Sequence, residues 1–103
     1  MVLVRAGTVE DIPRGEGRCF TIQDRRIAIF HLEDGSFGAV DHDCPHRGGP
    51  LSDGIVGRDS VICPLHGWRI DLRTGVVIGQ EGKSVKTYPV RIEQGEILLK
   101  VQG

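Results

Sequence analysis

The chain contains two short segments that each pair a cysteine with a histidine, Cys44-Pro45-His46 and Cys63-Pro64-Leu65-His66, with sixteen residues between His46 and Cys63. Two thiolates and two imidazoles make a metal-ligand set. A closed tetrahedral zinc site also takes two Cys and two His, but zinc knuckles usually group like ligands, C-x₂₋₄-C in one and H-x₃₋₅-H in the other. Here each segment mixes the two types. That arrangement suits a binuclear iron centre to which each loop brings one cysteine and one histidine. Gly48 and Gly49 follow the first pair, Gly67 follows the second, and Pro45 and Pro64 each follow a cysteine. Glycine lets backbone N–H groups come close to bridging sulfides, and proline stiffens the loop.

The pattern C-x-H followed by C-x₂-H resembles the Rieske family of [2Fe–2S] proteins, in which one iron is bound by two cysteines and the other by two histidines. The resemblance covers nearly the whole chain. It implies one [2Fe–2S] cluster per chain, held by Cys44, His46, Cys63 and His66, and it implies one-electron transfer as the function. It also implies that His46 and His66 bind iron through one ring nitrogen and present the other at the tip of the protein. Their free nitrogens then titrate in step with the oxidation state of the iron.

One hundred and three residues suggest one domain with a modest core. The apolar fraction of 39% and charged fraction of 26% are those of an ordinary soluble globular protein. A net charge of −1 gives no reason to expect nucleic acid or an anionic membrane as partner. No apolar run near Met1 is long enough for a signal peptide, and no stretch approaches a membrane span. The respiratory and photosynthetic Rieske subunits have a membrane-anchoring helix that this sequence lacks. Of three cysteines, two are assigned to the cluster, and a lone Cys19 beside a metal site reads as a reducing, cytoplasmic setting.

Short apolar runs separated by turn residues predict an all-β chain. Ile27 to Leu32 is nearly continuous, as expected of a strand buried on both faces, and Asp34-Gly35 turns it into Phe37 to Val40. Tyr88, Val90 and Ile92 alternate with Pro89, Arg91 and Glu93, and Gln94-Gly95 leads to a second hairpin strand at Ile97 to Val101. Val9 to Ile12 could start a short helical turn. The Rieske resemblance implies a small antiparallel sandwich or barrel with a cluster-binding subdomain inserted over about residues 41–75. Asp53-Gly54, Gly57 and Thr74-Gly75 punctuate that segment as turns.

Within the family, membrane-complex members carry an extra cysteine in each loop, joined as a disulfide. Gly49 and Leu65 stand at those positions here. Those members also direct a serine and a tyrosine hydroxyl at the cluster, where this chain has Trp68 and Ile70. Fewer donors imply a potential toward the lower end of the Rieske range, roughly −150 mV rather than +300 mV.

Two soluble groups remain. The runs Cys44-Pro-His-Arg-Gly-Gly-Pro-Leu-Ser-Asp-Gly-Ile-Val and Cys63-Pro-Leu-His-Gly-Trp-Arg-Ile-Asp-Leu-Arg-Thr-Gly resemble most the small subunit of assimilatory NAD(P)H nitrite reductase. That resemblance implies a large partner subunit with flavin and sirohaem, where nitrite becomes ammonia. The alternative is the ferredoxin that feeds aromatic-ring dioxygenases through a reductase and oxygenase pair. In neither case is the chain catalytic alone: a mononuclear oxygenase iron needs two further histidines and a carboxylate, and only His31 and His42 lie outside the motif. A purely structural binding module is a third reading.

Among the remaining residues, His31 reads as a packed or edge histidine and His42 as solvated. Cys19 reads as a small buried hydrophobe. Trp68 is either a cover over the cluster loops or core filler. Arg47 and Arg69 are either docking or charge-balancing groups, or ordinary solvated arginines.

Overall fold

The structure, a computed structural model, describes residues 2–43, 50–65 and 67–101. In chain order the strands are β1 (Val2–Thr8), β2 (Gly17–Ile22), β3 (Arg25–His31), β4 (Phe37–Asp41), β5 (Ile55–Val56), β6 (Ser60–Ile62), β7 (Arg69–Asp71), β8 (Val77–Ile78), β9 (Thr87–Tyr88), β10 (Val90–Glu93) and β11 (Glu96–Val101). They form three antiparallel sheets, ordered β1-β11-β10, β2-β3-β4-β9 and β5-β6-β7-β8. Two 3₁₀ turns, Val9–Asp11 and Leu51–Asp53, are the helical segments among the described residues. The expected all-β architecture is what the chain adopts, and Val9 does start a short helical turn. No helix among the described residues is long and apolar enough to cross a membrane.

The strand β3 explains the layering. Successive side chains on a strand point to opposite faces, yet Ile27, Ala28, Ile29 and Phe30 are all fully buried. Ala28 and Phe30, with Val40, pack against Leu51, Val61, Cys63 and Ile70. Ile27 and Ile29, with Ala39, pack against Ile12, Ile97 and Leu99. The middle sheet therefore has a core on each face, one shared with the first sheet and one with the third. The continuous apolar run at 27–32 is the sequence trace of that double burial. Each fully buried large side chain contributes about 1.5–3 kcal/mol.

Two hairpins turn on two residues with positive φ, the geometry that matches the strand twist. Gln94 (φ 51°) and Gly95 (φ 77°) join β10 to β11, as the sequence predicted. Gln23 (φ 52°) and Asp24 (φ 63°) join β2 to β3 without a glycine.

The alternating segment Tyr88 to Glu93 is not one strand. Pro89 has no N–H to give a ladder, and the chain changes sheets there. Thr87 and Tyr88 pair with β4, whereas Val90 to Glu93 pair with β11. The third sheet runs from Ile55 to Ile78, past the boundary expected at residue 75.

Candidate iron–sulfur site

Both cysteine–histidine segments spring from the contact between the second and third sheets. The first is rooted after β4. The Leu51 N–H donates to the His42 carbonyl at 3.0 Å, and Asp43 and Pro50 form a β-bridge. These contacts bring together the residues on either side of 44–49. Leu51 is then fully buried beside Val61 and Cys63, which fastens the base to the core.

The second segment leaves β6 and re-enters β7. The Cys63 N–H donates to the Trp68 carbonyl at 2.7 Å, and the Gly67 N–H donates to the Cys63 carbonyl at 3.1 Å. Gly67 has φ +72°, a left-handed conformation that glycine adopts without steric cost. The turn thus closes tightly, with Pro64 and Leu65 exposed and Cys63 only 2% exposed. Gly54 ties the two bases together: a Cβ there would fall onto the Ile62 carbonyl oxygen and lie 2.7 Å from Val61 Cγ2. Only a residue without a side chain lets the stem of the first loop approach the strand feeding the second.

Of the four expected ligands, Cys63 is described. Cys44, His46 and His66 lie outside the described residues, as do Arg47, Gly48 and Gly49. What is visible fits an iron–sulfur centre: a buried thiol, unbridged by disulfide, at the root of a glycine-closed turn whose next residues are exposed. Buried thiolates of this kind are the usual anchors of such clusters. Trp68 is partly buried and packs against the same core cluster as Cys63. Ile70 is fully buried and directed into that core, so its position offers no hydroxyl.

Two side chains differ from their sequence reading. His42 is buried, at 6% exposure, because β4 carries it directly into the base of the first loop. Burial pushes its imidazole pKa below the ordinary value, with the nearby Arg26 charge acting in the same direction. Its Nδ1 has no hydrogen-bond partner among the described residues. Cys19 is exposed rather than buried: it pairs with Ala28 but stands on β2, the edge strand of its sheet. His31 is packed as expected, with Nδ1 2.8 Å from the Ile12 carbonyl and its ring stacked on Phe37 at 4.2 Å. Sequence reading did not identify Leu51 or the Asp43–Pro50 bridge as anchors. The only sequence trace was the lone apolar Leu51 between Pro50 and the Asp53-Gly54 turn.

A profile of the Rieske-like [2Fe-2S] domain matches residues 3–100. The chain is 34% identical over 100 residues to the ferredoxin component of a naphthalene 1,2-dioxygenase/salicylate 5-hydroxylase system from Ralstonia sp, covering 96% of this chain and 95% of that protein. It is 38% identical over 96 residues to the ferredoxin subunit of a 3-phenylpropionate/cinnamic acid dioxygenase from Photorhabdus laumondii, covering 91% and 90%. Among solved structures it is similar to one assigned as the small subunit of an NADH-dependent nitrite reductase from Mycobacterium tuberculosis. That match has a TM-score of 0.90 and 29% identity, covering 99% of this chain and 97% of the other. It is also similar to the ferredoxin of carbazole 1,9a-dioxygenase from Nocardioides aromaticivorans, with a TM-score of 0.88 and 26% identity over 99% and 100% of the two chains. The chain thus belongs to the Rieske-like [2Fe-2S] family, as an electron-transfer protein with a [2Fe-2S] cluster as its cofactor.

Proposed function

We propose that Cys44, His46, Cys63 and His66 hold the cluster, and that the chain is the ferredoxin of a ring-hydroxylating dioxygenase system. In this role it carries single electrons from a flavin-containing reductase to an oxygenase. The observation that carries the partner assignment is full-length similarity: 34% and 38% identity to dioxygenase ferredoxins over more than nine-tenths of this chain. The cluster supplies a site that takes up and gives back one electron. The chain's own residues do the rest. Leu51, Val61 and Ile70 bury the Cys63 sulfur and keep water from it. The turn closed by Gly67 leaves Pro64 and Leu65 at the surface, where a partner can approach within a short distance of the buried thiol.

The chain acts as a single Rieske domain, its cluster-binding part starting near residue 41 and extending through β8 to Ile78. We assign it to the cytoplasm, where an exposed free thiol such as Cys19 stays reduced.

A second reading, the small subunit of NAD(P)H nitrite reductase, is favoured by the loop motifs and by the 0.90 TM-score to such a structure. One assay separates the two. The purified protein is added to NADH with the flavoprotein reductase and oxygenase from the same genome, and separately to the large nitrite reductase subunit from that genome. Hydroxylated product that requires this chain supports the dioxygenase reading. Nitrite reduction that requires it supports the other.

A further inference from the structure

Pairing in the third sheet sets Ile55 opposite Ile62, Ile62 opposite Arg69, and Arg69 opposite Ile78. Directly paired residues on antiparallel strands share a face, so these four side chains form one row across all four strands. The adjacent row, Val56, Val61, Ile70 and Val77, points the other way, and its last three members are fully buried in the core. The first row is the outward one. Ile55 is 70% exposed, Ile78 52%, and Arg69 is exposed as well. Leu65, on the turn between β6 and β7, is likewise 52% exposed. Sheets that face water normally carry polar residues on the outer face. Ile55 and Ile78 are left as apolar side chains in water, with Ile62 half-buried between them.

Arg69 sits in the middle of the row. Arg5, Arg18, Arg26, Arg73 and Arg91 each have a carboxylate partner. Among the described residues Arg69, like Arg14, Arg25 and Arg58, has no ion pair, and of these four it is the one set in the row of exposed isoleucines. The carboxylate on its own strand, Asp71, is engaged by the backbone N–H groups of Arg73 and Thr74. Ile62 leads directly into Cys63 and Arg69 follows directly from Trp68, so whatever covers the row also covers the turn that presents Cys63.

We propose that this row is the docking surface for the protein redox partner, and that the partner sets a carboxylate among apolar side chains opposite Arg69. The inference rests on the electron-carrier reading above. Charge selects the occupant. A second copy of the chain packed two-fold on this face would bring one Arg69 against another, whereas an acidic residue ringed by apolar groups satisfies both features at once.

The test uses the holoprotein and whichever partner turns over with it in the assay above. Arg69→Glu is expected to raise the KM for this chain at least tenfold, Arg69→Gln less, and Ile78→Ser severalfold. The wild-type KM is expected to rise with salt and that of Arg69→Gln to rise less. Leu3→Ser, on the first sheet, serves as the control and leaves KM unchanged. Visible spectrum and midpoint potential are measured for every variant, and unchanged values show that the cluster itself is intact. A KM within twofold of wild type for both Arg69→Glu and Ile78→Ser overturns the proposal. So does a dimer in sedimentation that Ile78→Ser dissolves, because the face then belongs to a second copy. Absence of turnover with the wild-type protein in both arms overturns the electron-carrier reading and this inference with it.

Discussion

At the scale of single residues, the two cysteines that the structure describes are expected to behave oppositely. Cys63 is buried at the root of its turn, and Cys19 is exposed on β2. Cys63→Ala is expected to abolish the visible absorption of the cluster and its labile sulfide, because alanine offers no ligand. Cys19→Ser is expected to retain about two irons and two sulfides per chain. Iron and sulfide analysis, with circular dichroism to confirm that both variants keep their strands, checks the pair. The proposed donor set rests on the sequence, where ligand chemistry demands particular residue types at short spacing, and of its members the structure describes Cys63. The burial of His42 was not, since an isolated histidine carries no mark of which face its strand turns inward. The exposure of Cys19 was hidden because the edge position of β2 depends on strand pairing that leaves no local mark. Gly54 was legible as a turn residue, but its close approach to the Ile62 carbonyl depends on a strand that pairs across the loop.

At the scale of elements, β9 is the short strand whose attachment can be followed by titration. The Tyr88 hydroxyl donates to Asp41 Oδ1 at 2.6 Å, linking β9 to the end of β4. Burial, and then the bond to Asp41, raise the Tyr88 pKa above its usual value near 10. A raised acid keeps its proton in the folded state where the unfolded chain releases it. The resulting stabilisation is full below about pH 10 and is lost as pH rises through the folded value. The melting temperature is therefore expected to fall on the alkaline side, and to fall less steeply in Tyr88→Phe. At neutral pH that variant is expected to lose about 1 kcal/mol with its hydrogen bond. Tyr88 is the only tyrosine, so tyrosinate difference absorbance reports it alone. The two hairpins flanking Asp34-Gly35 and Gln94-Gly95 were legible because local turn chemistry marks them. The pairing of β1 with β11 joins the two ends of the chain and leaves no local trace. The β2–β3 hairpin was hidden because its turn, Gln23-Asp24, holds no glycine. The break at Pro89 was masked by an apolar alternation that continues across it.

At the scale of the whole molecule, the position filled by Ile70 points into the core and supplies no hydroxyl to the cluster end. The midpoint potential is accordingly expected toward the low end of the Rieske range, roughly −150 mV, read by a redox titration followed by EPR. A value near the high end would mean that donors other than side-chain hydroxyls stabilise the reduced state. The all-β class was legible from the frequent turn signals and short β-branched runs, whereas the stacking order of the three sheets was not. That order follows from which alternate residues of β3 meet which partner. Because Ile27 to Phe30 of β3 are buried on both faces, their amides have no local route to solvent. In deuterium exchange, Ile27 through Phe30 are expected to be the last amides to label, at the rate of global unfolding. The amides of β1, at a sheet margin with Val2 and Leu3 exposed, should label early. Leu51 and Cys63, at the bases of the two cysteine–histidine segments, pack in the core that this slowest-opening strand lines, so bleaching of the cluster is expected to follow the opening of that core and not fraying at the sheet margins.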